Sequence, residues 1–245
     1  MDVRNDGSGP RLRRDRPGVL TVVVDSVARW DADAARTLEV LADVGRGLAG
    51  DVRVVVLELA EPTTEGGGST TESFLRGLAG LSEAECDTVL AGYQDAVAWL
   101  RRADTVSVAT ARGRLAGPAV ELALCCDLRV LAHDTSVTVG SAPLLGVTDR
   151  LAALIGAGRA AELALTGRSV GAAEAERLGL ATRVVPGSDL GAAADELITG
   201  LLAADRGALA ETKALYANDG DRRAAEREAF ARLARAHYAE TDRES

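Results

Sequence analysis

Aromatic side chains are scarce in this chain: two Trp, three Tyr and two Phe among 245 residues. The sequence is nevertheless 47% apolar, so Ala, Val and Leu must fill its interior. Histidine occurs twice. Neither His133 nor His237 has a nucleophile or metal ligand at suggestive spacing, so both read as surface or hydrogen-bonded residues. Ser69 and Ser141 consequently lack a base, and a hydrolytic triad is not supported. The three cysteines, Cys86, Cys125 and Cys126, form no ligand spacing. Cys125 and Cys126 are adjacent on a helical pattern and point in different directions, so they read as small buried apolar groups. A surplus of positive charge is also missing. The formal net charge is −9, which argues against a nucleic-acid or anionic-membrane partner, since both demand basic surface. A local basic pocket for a phosphorylated ligand remains compatible with that total. No apolar run reaches transmembrane length, and the N-terminal residues include no apolar signal core. These absences predict a soluble, cytoplasmic protein without a metal site.

What is present is a strand-and-helix alternation. Gly18 to Asp25 (GVLTVVVD) and Asp51 to Ala60 (DVRVVVLELA) read as buried strands. Between them, Asp31 to Leu48 has helical spacing, with Leu38, Leu41, Val44 and Leu48 on one side. A loop from Glu61 to Thr70 carries three consecutive glycines. Ser82, with Glu85 three residues on, marks the start of a helix to about Arg102. Short strands are expected at 128–131 and 136–139. Helices then dominate: about Asp149 to Ala164, Ala172 to Arg177, Leu190 to Ala204, and Arg206 through Tyr238. The pattern predicts an α/β core followed by a helical C-terminal region. Residues 1–16, with Arg11, Arg13, Arg14 and Arg16, read as a flexible, solvated tail. The core then runs from 17 to 190 and the helical region from 191 to 245.

The most informative stretch is Thr105 to Val130, TVSVATARGRLAGPAVELALCCDLRV. A β-branched run leads through a glycine-bearing turn, Gly113 to Gly117, into an apolar helix. Such a turn aims free backbone N–H groups at whatever lies above it, a common way to hold an anion or an oxygen becoming one. Pro118 interrupts the arrangement, because proline has no N–H. One carboxylate, Glu121, is embedded in the helix. Burial raises a carboxyl pKa and costs stability unless the group is paired, so Glu121 is either site-lining or a helix N-terminal charge.

Two blocks carry a family resemblance. The first runs from Gly113 through Glu121-Leu-Ala-Leu-Cys-Cys-Asp-Leu-Arg129. The second comprises Leu154 to Arg159, Glu162 to Arg168 and Ala172 to Pro186. In order and spacing they resemble the crotonase (enoyl-CoA hydratase/isomerase) superfamily over roughly residues 17–240. The resemblance implies an α/β fold, a crotonase-like spiral of ββα units with a C-terminal helical trimerisation region. It also implies an acyl-CoA ligand, with coenzyme A as part of that ligand and no tightly bound cofactor, and a homotrimer or a dimer of trimers.

Family chemistry holds a thioester carbonyl between two backbone N–H donors, which stabilise the enolate oxygen, while one or two glutamates move protons. Carried over residue by residue, the first donor falls on Gly68. The second falls on Pro118, so that donor is lost unless Gly117 or Ala119 substitutes. Glu121 matches the first family glutamate. The second falls on Ala142 or Pro143, where no carboxylate stands. The stretch beyond is shortened to Val147–Leu151, leaving Asp149 as the only nearby acid, expected as a helix N-terminal charge. Lys213 matches a lysine that the resemblance suggests contacts CoA phosphates. Two readings follow. One is an accessory or weakly catalytic acyl-CoA-binding protein of a secondary-metabolite or polyketide-type pathway, with a synthase as a possible partner. The other is a one-glutamate enoyl-CoA isomerase or hydratase-type enzyme.

Overall fold

A computed structural model describes residues 9–24, 30–59, 69–140, 143–217 and 220–244. Arg11–Arg13, expected in a frayed tail, instead forms an edge strand, β1, antiparallel to β2 (Val19–Val24) with Arg11 opposite Val23. The reason is local. β2 would otherwise present an unpaired row of backbone N–H and C=O groups, and distant carboxylates hold the arginines. Arg13 meets Glu58 at 2.6 Å, Arg14 meets Asp51 at 3.2 Å and Arg16 meets Asp195 at 3.2 Å. Helix α1 (Ala32–Arg46) follows, with the Asp31 carboxylate accepting from Asp33 and Ala34 N–H at its start. Next come β3 (Val54–Leu59), α2 (Ser69–Ala79) and α3 (Glu83–Ala98). The expected capping box is present: Ser82 Oγ accepts from Glu85 N–H, and the Glu85 carboxylate accepts from Ser82 N–H at 2.9 Å. Helix α2 begins at Ser69, where the sequence reading still placed loop.

From here the chain winds in repeated passes. β4 (Val106–Ala111), β5 (Arg114–Ala116) and α4 (Pro118–Cys125) make one pass. β6 (Leu128–Ala132), β7 (Ser136–Thr138), α5 (Thr148–Ile155) and α6 (Ala157–Thr166) make the next. β8 (Ser169–Gly171), α7 (Ala172–Leu178) and β9 (Arg183–Val185) make the third. Each pass gives one strand to a six-stranded sheet, ordered β1-β2-β3-β4-β6-β9, and one to a three-stranded sheet, ordered β5-β7-β8. This is the α/β spiral of strand–strand–helix units. Two expectations are corrected. The Gly113–Gly117 turn contains a strand, β5, flanked by Gly113 and Gly117 at positive φ. The helix expected from Asp149 to Ala164 is two helices, because Gly156 adopts φ 82° between them.

The large sheet is parallel from β2 to β9 and covered on both faces, which is why its strands read as continuous apolar runs. Val55 and Leu57 face a core shared with α1, α3 and α4. Val54, Val56, Val108 and Val130 face the opposite way, onto Ala193, Ala194 and Ile198 of α8 (Leu190–Ala203). Helices α9 (Arg206–Tyr216) and α10 (Arg222–Glu244) end the described chain.

Candidate functional site

Helix α4 lies at the centre of the site. Gly117 precedes it with φ 55° and ψ −135°, a conformation that glycine tolerates and other residues resist. Pro118 is the first helical residue, where its fixed φ suits the helix and its missing N–H breaks no intrahelical bond. Glu121 N–H closes the first turn onto Gly117 O at 3.3 Å. The N–H groups of Ala119 and Val120 have no intrahelical acceptor by position, and no side chain caps this end. The nearest free donors are therefore displaced one and two residues beyond Pro118. All eight residues of α4 are buried.

Glu121 is 5% exposed. Its Oε2 accepts from Leu144 N–H at 2.6 Å and from Leu145 N–H at 2.7 Å. The Trp30 side chain also helps to stabilise the charged form of this carboxyl. Burial pushes the Glu121 carboxyl above the usual carboxylate range, and the two backbone donors and Trp30 partly offset that push. The carboxylate thus holds the segment that leads into α5. A second clasp acts nearby, where Gln94 Nε2 donates to Leu144 O at 3.0 Å.

Sequence reasoning missed the aromatic wall beside this carboxyl. Trp30 stacks on Phe74 with ring centroids 5.7 Å apart, and Tyr93 lies 6.2 Å from both. Three of the chain's few aromatic rings gather here, all half-buried. Their scarcity was the one available signal, since a chain with so few rings has little reason to cluster them except to shape a surface.

The remaining expected residues divide. Gly68, Ser141 and Ala142 lie outside the described residues, as do the side chains of Ser69 and His237. Pro143 is half-buried and brings no carboxylate beside Glu121. Asp149 is exposed in the first turn of α5. His133 is exposed, its backbone N–H donating to Val185 O. Cys125 and Cys126 are buried, and burial pushes the Cys125 thiol up to about 12 and Cys126 further still. Among the described residues no three His, Cys, Asp or Glu side chains converge as a metal site requires. Nor is any described helix long and apolar enough to cross a membrane.

Lys213 is placed inside its own chain. Its Nζ meets Asp127 Oδ2 at 2.7 Å and donates to Thr105 O at 2.6 Å and Leu100 O at 3.1 Å. Those partners take all three ammonium hydrogens. Asp127 also accepts from Ser107 N–H at 2.8 Å and Ser107 Oγ at 3.0 Å. The network fastens α9 to β4 and to the end of α4. Arg129 strengthens the same corner, donating from Nε to Leu180 O at 2.5 Å and from Nη1 to Cys126 O at 2.8 Å.

The family model described as enoyl-CoA hydratase/isomerase matches residues 34–245. The chain belongs to this family. A Thermobifida fusca protein assigned as an enoyl-CoA hydratase, crystallised with CoA, superimposes with a TM-score of 0.80 at 35% identity, covering 94% of this chain and 95% of that one. The same kind of T. fusca protein with acetoacetyl-CoA gives 0.78 at 36% identity, covering 93% and 96%. A Mycobacterium leprae relative assigned as an enoyl-CoA hydratase is 31% identical over 182 residues, which cover 72% of this chain. The match spans 65% of that relative's length and 35% of the next curated relatives, so it covers less than two thirds of each. Proline stands at the first position of α4, where the resemblance puts a donor, and Glu121, the glutamate that the resemblance matches, gives one carboxylate oxygen, Oε2, to the backbone at Leu144 and Leu145.

Proposed function

We propose that this family member binds an acyl-CoA thioester as an accessory or weakly catalytic protein, and is not an ordinary hydratase. The observation that carries the reading is the pairing of Pro118, at the first position of α4, with a Glu121 carboxylate whose Oε2 is already held by two backbone N–H groups. Losing one oxyanion donor costs about 2.7–4 kcal/mol of transition-state stabilisation. Hydration also needs two carboxylates around one water, and Glu121 has no acidic companion among the described residues matched to the family pattern. Support for the ligand comes from the T. fusca relatives that hold CoA and acetoacetyl-CoA at this level of similarity. A homotrimeric or hexameric assembly, a cytoplasmic setting and service to a synthase of secondary-metabolite or polyketide type belong to the same proposal.

One observation favours the second reading. Burial shifts the Glu121 carboxyl upward, the direction that general acid–base work requires, so a one-glutamate isomerase follows if Glu121 leaves its backbone partners when ligand enters. Calorimetry with CoA and absorbance at the enoyl thioester band, using crotonyl-CoA and a 3-enoyl-CoA, test both readings. The accessory reading expects binding without turnover. Turnover abolished by Glu121→Gln would establish the enzyme reading, and absence of any thioester binding would end both.

A further inference from the structure

Beyond the loop that Glu121 holds lies a cavity of about 210 Å³ between the end of α3 and the start of α5. Two arginines, Arg101 and Arg150, line it, together with Asp95, Gln94, Cys125 and Leu145. In a chain of net charge −9 the lining of this cavity carries two cations against one carboxylate. Arg101 pairs with no carboxylate among the described residues. Arg150 donates to Cys126 O at 2.5 Å, yet its nearest carboxylate, Asp127, is 4.0 Å away and already bound by Lys213. The Arg150 charge repels both Lys213 and Arg129. Helix α5 adds its positive end without a side-chain cap at Val147, another lining residue. The acids here are Asp95 in the lining, Asp149, exposed on the first turn of α5, and Glu121, which accepts from the N–H of Leu145.

The cavity lies next to the candidate site, with Leu145 between them. Leu145 lines it and also donates its N–H to Glu121. Cys125 stands one helical turn past Glu121 on the same face, about 6 Å along α4, the reach of a short acyl chain. We infer that this cavity is a carboxylate subsite, which selects acyl thioesters whose far end carries its own carboxylate. The inference rests on the acyl-CoA reading above.

Equilibrium binding of glutaryl-CoA, valeryl-CoA and free glutarate to wild-type and Arg101→Gln protein tests it. Arg101 is exposed and its side chain bonds nothing among the described residues, so the variant should remain folded. Wild-type protein should bind glutaryl-CoA about tenfold or more tightly than valeryl-CoA, as a charge-assisted hydrogen bond supplies. Arg101→Gln, which leaves Arg150 in place, should weaken that preference several-fold and leave valeryl-CoA affinity unchanged. Equal wild-type affinities, or a preference unchanged by the substitution, would overturn the subsite. Should neither thioester bind, the acyl-CoA reading fails by itself and glutarate decides the subsite: binding weakened by Arg101→Gln supports it, and no binding overturns it.

Discussion

Replacing Glu121 by alanine should destabilise the protein far more than replacing it by glutamine, if this carboxylate is chiefly a clasp for the backbone. Two N–H groups, at Leu144 and Leu145, converge on one oxygen. Leu145 is buried and Leu144 half-buried. Removing the acceptor strands both donors, and each buried group left unsatisfied costs about 1–3 kcal/mol. With Leu144 at the low end because water can reach it, Glu121→Ala should lose about 2–5 kcal/mol. Glutamine keeps a carbonyl oxygen of the same reach and removes a charge that burial disfavours. Glu121→Gln should therefore match or exceed wild-type stability at neutral pH.

The sign of the pH dependence follows from the raised pKa. Between the ordinary carboxylate range and the higher folded value, the native state holds a proton that the unfolded state has released. Wild-type stability should fall as pH rises through that window, then level off, whereas Glu121→Gln should lack this slope. Urea unfolding of the three proteins from pH 4 to 8 measures both effects, and amide exchange at Leu144 and Leu145 reports the loop itself. An alanine variant as stable as the glutamine variant, with unchanged exchange at those two amides, would refute the clasp.

Four further outcomes are expected. Pro118→Gly restores an N–H at the first position of α4, so an acyl-CoA in heavy water should exchange its α-protons faster than with wild-type protein, by mass spectrometry, at a stability cost of about 0.4–1 kcal/mol. Lys213→Met leaves Asp127, whose side chain is 19% exposed, without its nearer cation, Arg150 standing 4.0 Å away. Chemical denaturation should show a loss of about 2–4 kcal/mol, while calorimetry should find CoA affinity unchanged. Gly45→Ala would drive a methyl group into the Trp99 indole ring, and a thermal melt should register about 1–3 kcal/mol of overpacking. Native protein should alkylate readily at Cys86 alone, because Cys125 and Cys126 are buried with thiols pushed upward; mass spectrometry before and after unfolding counts the sites.

Much of the fold is legible in the sequence because a parallel sheet buried on both faces must be written as unbroken apolar runs. Val54 to Leu57 alternates between two cores, so both faces of this stretch are apolar and the strand stands out. β5, β8 and β9 are three residues each, too short to show a period, and their pairing depends on segments remote in sequence. Gly156 reads as an ordinary helix residue until its positive φ splits α5 from α6. Glu121 is legible as an anomaly, a lone carboxylate in PAVELALC, but its partners are not. Backbone N–H groups have no letter in the sequence, and Trp30, Phe74 and Tyr93 come from three separate segments with no spacing that links them. Lys213 makes the same point from the other side. Its match to the family suggests a ligand contact, whereas geometry supplies Asp127 and two carbonyls that already satisfy an ammonium. A charged side chain with every hydrogen placed inside its own chain must give up those bonds before it can serve a phosphate. The guanidinium of Arg101, which lines the cavity beyond Leu145 and gives up no such bonds, is free to meet an incoming carboxylate.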